Sequence, residues 1–346
     1  MTDPAAPVPG EPSDPKLMRA AIVERFGGPE VLRLVHLPRP TPKPGHVLVR
    51  VHAASVNYGE TKIRKGLVPE LGPPPHTLGS DLSGTVMNAH PSTHRFKAGD
   101  EVYGIHFIGT YAEYVSVPEL SLAAKPTTLD HVHAAALPVA AQTALIAIFD
   151  YATLRPRQQI LIHAAAGGVG HLAVQLAKLR GAHVTGTARQ EKHTFLRGMG
   201  ADELIDYTQV DFTRVARNVD VVLDLIGGTY GRRSLDCLRP GGLVLGAALE
   251  PGLTDAEAHR RGMRYRWLGG TSIDRPLDRI RDLVDTGQLR VHVDRTYTLE
   301  ELPAAHAYAD SGRVTGKLVL TIRSSGAAGT NPGLERPSSD ARTGGE

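Results

Sequence analysis

The chain holds a single cysteine, Cys237, in 346 residues. One thiol excludes an internal disulfide and any zinc site assembled from several thiolates. Cys237 reads as a small buried hydrophobe late in a helix. No dense Lys/Arg cluster accompanies the net charge of +3, so nucleic-acid binding has no electrostatic support. No long apolar run occurs either. The most apolar stretch, Ala134 to Phe149, is interrupted by Pro138 and Gln142 and is too short to span a bilayer. The N-terminus is rich in proline and acid, the opposite of a signal peptide, so a cytoplasmic location is expected. Hydrophobic content of 41% and charged content of 22% suit a soluble globular protein of roughly two domains.

Met1–Lys16 and Ser324–Glu346 read as disordered tails. From Leu17, short strands alternate with Gly/Pro turns: Ala20–Val23, Val31–Leu34, Val47–His52, Ser83–Met87, Glu101–Gly104 and Tyr111–Val117. They predict a β lobe of about 120 residues, a partly open barrel. Past Leu129, helices alternate with apolar strands, the pattern of a doubly wound parallel sheet covered on both faces. Expected helices are Pro138–Tyr151, Gln190–Met199 and Tyr230–Leu238, and expected strands His183–Thr187, Leu204–Asp206, Val219–Asp224 and Leu243–Leu245. The last section predicts helices at Pro276–Thr286 and Leu299–Asp310, the second capped by Thr298. Val291–Tyr297 reads as extended, and Gly316–Ile322 as a closing strand able to rejoin the first lobe. No internal repeat is present.

The stretch Gln159–Arg180 organises the chain. Ile160–Ile162 predicts a strand buried on both faces, and Leu172, Ala173, Leu176, Ala177 and Leu179 share one helix face. Between them, Ala165, Gly167 and Gly170 take the small-residue positions of a dinucleotide fingerprint, with Gly168 and Val169 completing the turn. Amides at that helix N-terminus would hold a diphosphate. The tip of the next strand, Thr187-Ala188-Arg189-Gln190-Glu191-Lys192, lacks the carboxylate that would accept hydrogen bonds from ribose hydroxyls. Arg189 can grip a 2′-phosphate bidentately and Lys192 adds a point charge, so NADPH is favoured over NADH. The plainer alternative is that both solubilise a helix start. S-adenosylmethionine is disfavoured, because it too wants an acid at this tip.

Val56-Asn57-Tyr58, Gly79–Gly84, Gly99–Gly104, Tyr111–Tyr114, Ala134–Ala144, His163–Gly170 and Ser311–Lys317 occur in an order that resembles a known family. It is that of the zinc-independent medium-chain dehydrogenase/reductases of the quinone oxidoreductase (zeta-crystallin-like) type. The resemblance runs from Leu17 to Ile322. It implies a GroES-like, partly open β-barrel catalytic domain (residues 17–138 and 273–323) split around a Rossmann domain (residues 139–272). By the same resemblance, Lys192, Tyr207 and Arg313 approach the 2′-phosphate, and Asn57 and Thr143 lie near the nicotinamide. Left alone, Tyr207 reads as a packed aromatic and Thr143 as a cap or core hydroxyl. A homodimer is implied, joined at the sheet edge near Leu243–Leu245.

The zinc branch of that family places a Cys where Asn57 stands and a His-Glu pair where Ser80-Asp81 stand, so no metal is expected. The pairs His90/His94 and His131/His133 read as solvated surface. Without a metal to polarise an alcohol, the expected reaction is hydride transfer from NADPH to a quinone or an α,β-unsaturated carbonyl. The proton would come from water or from the phenol of Tyr58. Glu60 and Lys62 read as a surface ion pair. Two alternatives stay open. One is an enoyl-thioester reductase using a basic groove of Arg260, Arg261, Arg264 and Arg266; the other is a non-enzymatic NADPH-binding sensor or scaffold.

Overall fold

A computed structural model describes residues 16–250, 252–269 and 276–322. The expected disordered tails, Lys16 apart, lie outside the described residues. Strand Gln159–Ile162 sits inside a six-stranded parallel sheet ordered Glu203–Ile205, His183–Thr187, Gln159–Ile162, Val219–Asp224, Leu238–Gly246, Arg264–Trp267. Its side chains alternate between two cores. Ile160 and Ile162 pack with the fingerprint helix Gly170–Leu179 and with Leu137, Ala141 and Leu145. Leu161 faces Phe212, Leu235 and Val244 on the other side. Each fully buried aliphatic side chain contributes about 1.5–3 kcal/mol, which is why this strand reads as one unbroken apolar run.

The chain winds outward one way from Gln159–Ile162 and then returns to its other side. The strand order therefore reverses between that strand and Val219–Asp224, which opens a crevice at their C-terminal ends.

The other lobe is antiparallel around the long strand His46–Val56, with Asp81–Ala89 and Tyr114–Pro118 as partners. Lys317–Thr321 pairs antiparallel with the end of the same strand, Leu318 opposite Val56, so the closing strand does rejoin the first lobe. Val293–Thr298 lies parallel beside it. A separate three-stranded sheet joins Leu32–Pro38, Leu17–Val23 and His76–Thr77.

Several expectations are corrected. The strand Leu243–Leu245 is not a sheet edge, because Arg264–Trp267 pairs along it and itself forms the edge. Two of its residues, Arg264 and Arg266, are among the arginines considered above for a basic groove. The helix expected to end at Leu238 stops at Ser234, and Leu238 already belongs to a strand that passes through Pro240. Cys237 is thus buried in the link after the helix, where desolvation raises its thiol pKa to about 11. Thr298 does not cap the last helix: Leu302–Asp310 begins after Glu301, whose carboxylate accepts from the Thr298 amide. The helix Pro138–Leu145 continues as π-helical turns over Ile146–Tyr151. His131 is half-buried, hydrogen-bonded to Ser83 and Glu101 and 4.4 Å from the His52 ring.

The fingerprint turn is tight for reasons its residues make plain. A Cβ on Gly170 would lie 2.4 Å from the Ala164 carbonyl oxygen and 2.6 Å from that of Ala165. Ala164 itself adopts a left-handed φ of 48°, a conformation an L-residue takes only when its surroundings demand it. His163 braces the base of the turn. Ser234 donates its hydroxyl to Tyr230, so it accepts from His163 Nε2–H, which leaves Nδ1 to accept from Thr187. The fingerprint helix is also clamped to the returning chain. His171 Nδ1–H donates to the Gly167 carbonyl while Nε2 accepts from the His292 amide, and Gln175 exchanges two hydrogen bonds with Arg290.

These neutral imidazoles generate a pH dependence. Burial is the largest cause lowering the pKa of His163 and His306 to about 3 and of His171 to about 4, from 6.5. Between about pH 4 and 6.5 the unfolded chain binds protons that the native state refuses, so stability falls as pH drops through that window. The slope is roughly 1.4 kcal/mol per pH unit for each histidine. Urea midpoints should be flat from pH 7 to 8 and fall steeply below 6.5. A midpoint that stays constant down to pH 5 contradicts this account.

A second expectation concerns the turn. Gly170→Ala should cost about 1–3 kcal/mol in urea unfolding. Gly198→Ala, whose Cβ would meet nothing within 4 Å, should be neutral or gain up to about 1 kcal/mol.

Candidate functional site

The crevice at the strand-order reversal opens into a cavity of about 510 Å³ between the two lobes. At one end its wall is the fingerprint turn, Gly167, Gly168, Val169 and Gly170, with Arg189, Lys192 and Tyr207 beyond it. At the other end stand Asn57, Tyr58 and Lys317. Leu225, Ile226 and Tyr230, which follow the neighbouring strand, complete an apolar flank.

Most of the sequence-derived candidates meet here, but three do not reach the wall. Ala165 is fully buried beneath the turn, where the absence of a side chain on Gly186 makes room for its methyl. Thr143 spends its hydroxyl on the Val139 carbonyl one helical turn back. The Arg313 side chain is exposed, and the residue contributes a carbonyl: Lys192 Nζ donates to the carbonyls of Arg313 (2.8 Å) and Val314 (2.9 Å). Lys192 therefore joins the end of the second parallel strand to the returning chain, and burial lowers its pKa. Arg189 is solvent-exposed beside the Tyr207 hydroxyl.

The opposite end holds a buried polar network that sequence reasoning did not assemble. Asp81 is fully buried. Its Oδ2 accepts from Ser55 Oγ (2.5 Å), Asn57 Nδ2 (3.0 Å) and Lys317 Nζ (3.4 Å), and its Oδ1 from the Val139 amide at a helix N-terminus. Glu60, only 2% exposed, accepts from the Asn57 and Ser80 amides, from Asn57 Nδ2 and from the Tyr111 hydroxyl. Burial pushes the Glu60 pKa up, against those four donors. The donors decide its role: a group accepting four hydrogen bonds is one the site satisfies as a carboxylate. Asn57 then has one workable orientation. Its amide N–H groups face the two carboxylates and its Oδ1 faces Lys317 Nζ at 2.5 Å.

Glu60 is thus no partner of Lys62, which corrects the expected surface pair. Lys62 instead reaches Glu250 of the other lobe at 3.3 Å. Tyr58, one residue after Asn57, lines the cavity with 60% of its surface exposed. The four arginines considered for a basic groove are absent from the cavity wall. Arg261 pairs with Asp236, and Arg266 lies over Tyr151. Lys317, Ser55 and Tyr111 were missed. The signal was present in Gly316-Lys317, a cation in an otherwise apolar closing strand.

Two cofactors can be tested against these residues. The turn has the form of a diphosphate cradle: its glycines bring bare backbone to the cavity, and a Cβ at Gly168 would fill space only 3.0 Å from the Lys317 stem. A dinucleotide fits. Zinc does not. Among the described residues no cluster of three His, Cys, Asp or Glu could hold a metal, and both carboxylates near Asn57 are already committed, Asp81 to an ammonium and Glu60 to amide and phenol donors.

A model described as alcohol dehydrogenase GroES-like domain matches residues 43–127, and one described as zinc-binding dehydrogenase matches residues 199–320. The chain is 33% identical to a mouse protein named NAD(P)H oxidoreductase RTN4IP1, mitochondrial, over 88% of this chain and 89% of that one. A solved quinone oxidoreductase from Coxiella burnetii superposes with a TM-score of 0.84 at 36% identity, over 89% of this chain and all of that one. An Escherichia coli quinone oxidoreductase solved with NADPH gives 0.80 at 26%, over 88% and 99%. With its GroES-like lobe, its parallel Rossmann sheet and the turn between them, the chain belongs to the medium-chain dehydrogenase/reductase family, and it is an NAD(P)H oxidoreductase of the quinone oxidoreductase-like kind.

Proposed function

We propose that this protein uses NADPH to reduce a quinone or an α,β-unsaturated carbonyl without a metal. The observation that carries the reading is the cavity itself. A phosphate turn flanked by Arg189, Lys192 and Tyr207 closes one end, and the other presents Asn57, Tyr58 and Lys317 with no metal-binding donor set.

Bound NADPH supplies a hydride from C4 of its nicotinamide. The chain's own residues do the rest. Amides of the Gly168–Gly170 turn, aided by the N-terminus of the helix Gly170–Leu179, hold the diphosphate. Arg189 and Lys192 neutralise the 2′-phosphate, with Tyr207 beside them, and Arg313 approaches from the exposed side. Asn57, held in one orientation, positions the nicotinamide end, with Thr143 behind it on the helix. Leu225, Ile226 and Val56 keep water from the reacting carbon. Tyr58, mostly in solvent at the cavity wall, relays protons between water and product.

The test is steady-state NADPH oxidation with 1,2- and 1,4-quinones, enones and crotonyl thioester. Turnover is expected with quinones or enones. Preference for the thioester would support the enoyl reductase alternative, which the placement of the four arginines disfavours. Tight NADPH binding without any turnover would leave a binding protein.

Cofactor preference is read by calorimetry. Wild type should bind NADPH more tightly than NADH. Arg189→Ala should weaken NADPH about 10- to 100-fold, the worth of a charge-assisted contact, and leave NADH nearly unchanged. Lys192→Ala should weaken both, because it also releases the carbonyls of Arg313 and Val314. Equal or tighter NADH binding by wild type overturns the 2′-phosphate assignment.

A further inference from the structure

Lys317 is a cation with unfinished hydrogen bonding. Its side chain is 3% exposed, yet the residue lines the cavity. Two of its three ammonium hydrogens go to Asn57 Oδ1 and Asp81 Oδ2. The third has no acceptor among the described residues. A buried donor left unmet is costly, and here it borders the space a ligand would fill.

We propose that the Lys317 ammonium is the electropositive group that meets the acceptor's oxygen as negative charge develops on it. The proposal rests on the reduction reading above. When hydride adds to the β-carbon of an enone, the alkene electron pair shifts through the conjugated system onto the carbonyl oxygen, and the resulting enolate takes its proton from water. For a quinone the equivalent product is a quinol monoanion. In both, charge gathers on one oxygen, and a donor already fixed in place stabilises it without reorganising. Asp81 and Asn57 supply that fixity. The Tyr58 phenol is a weaker candidate for the role, because 60% exposure lets water compete for it.

The competing target is an oxyanion of the cofactor, since the Lys317 stem also borders Gly168. Two kinds of binding measurement separate the targets. The probe is 4-nitrophenol, whose phenolate mimics a quinol monoanion, bound in the presence of NADP⁺ and followed by absorbance across neutral pH. Wild type should bind the phenolate at least about tenfold more tightly than the phenol. Lys317→Met should lose that preference while its NADPH affinity stays within about threefold, and its single-turnover hydride transfer should fall about 10²- to 10³-fold. Lys317→Arg should keep most of the phenolate preference. Because Lys317→Met leaves Asp81 unpaired and can fail to fold, the double variant Asp81→Asn/Lys317→Met, which removes both charges, is measured alongside.

Weakened NADPH binding with phenolate preference intact, in either variant, overturns the proposal in favour of a cofactor contact. Unchanged phenolate preference with unchanged NADPH affinity overturns it as well. If wild type binds NADPH but reduces no quinone or enone, the reduction reading falls and takes this role with it. If wild type is active and Lys317→Met equally so, only the role of Lys317 falls.

Discussion

Two carboxylates taken out of water govern the Asn57 end of the cavity. Removing a carboxylate from solvent costs several kcal/mol unless hydrogen bonds replace the lost water. Asp81 meets that condition by drawing on distant parts of the chain. Ser55 comes from the central strand, the Val139 amide from a helix N-terminus, and Lys317 from the last strand. Glu60 meets it through Tyr111 and the Ser80 amide. Asn57 lies between the two carboxylates and cannot turn over without facing N–H groups toward an ammonium and its oxygen toward two anions. The geometry of the site is thus a consequence of satisfying buried charge, and loosening any donor returns part of the desolvation cost.

The end of the cavity at Arg189 and Lys192 follows the opposite logic, and this divides what a sequence can reveal. There the determinants are local. Ile160–Ile162, the turn and the helix are continuous in the chain, and Arg189 and Lys192 lie within one turn of each other. Strand His183–Thr187 has the bounds its sequence predicted, ending where Ala188 and Arg189 begin the next turn. At the other end Asn57 and Lys317 are 260 positions apart, and no periodicity links them. Glu60 shows the limit from the other direction. It was assigned to Lys62, two residues on, although positions i and i+2 of a helix point apart. That spacing alone argued against the pair. Leu243–Leu245 was placed at a sheet edge by family resemblance alone, and Arg264–Trp267 covers it with a strand whose pattern carries no apolar run.

The segment Arg313–Leu318 joins the two kinds of determinant. The carbonyls of Arg313 and Val314 receive Lys192, and the Thr315 amide is held by Asp294. The Gly316 amide donates to the Ala166 carbonyl inside the fingerprint turn, and Lys317 reaches Asn57 and Asp81. Gly316 is required where it stands: its φ is 68°, and a Cβ would lie 2.3 Å from the His292 carbonyl oxygen. Within six residues the chain passes Lys192, the turn and the buried carboxylates. An extended segment pinned at each step transmits displacement along its length more readily than it absorbs it. Lys192 and Lys317 are therefore tied to one continuous segment, and losing the contacts of either loosens the backbone that supports the other.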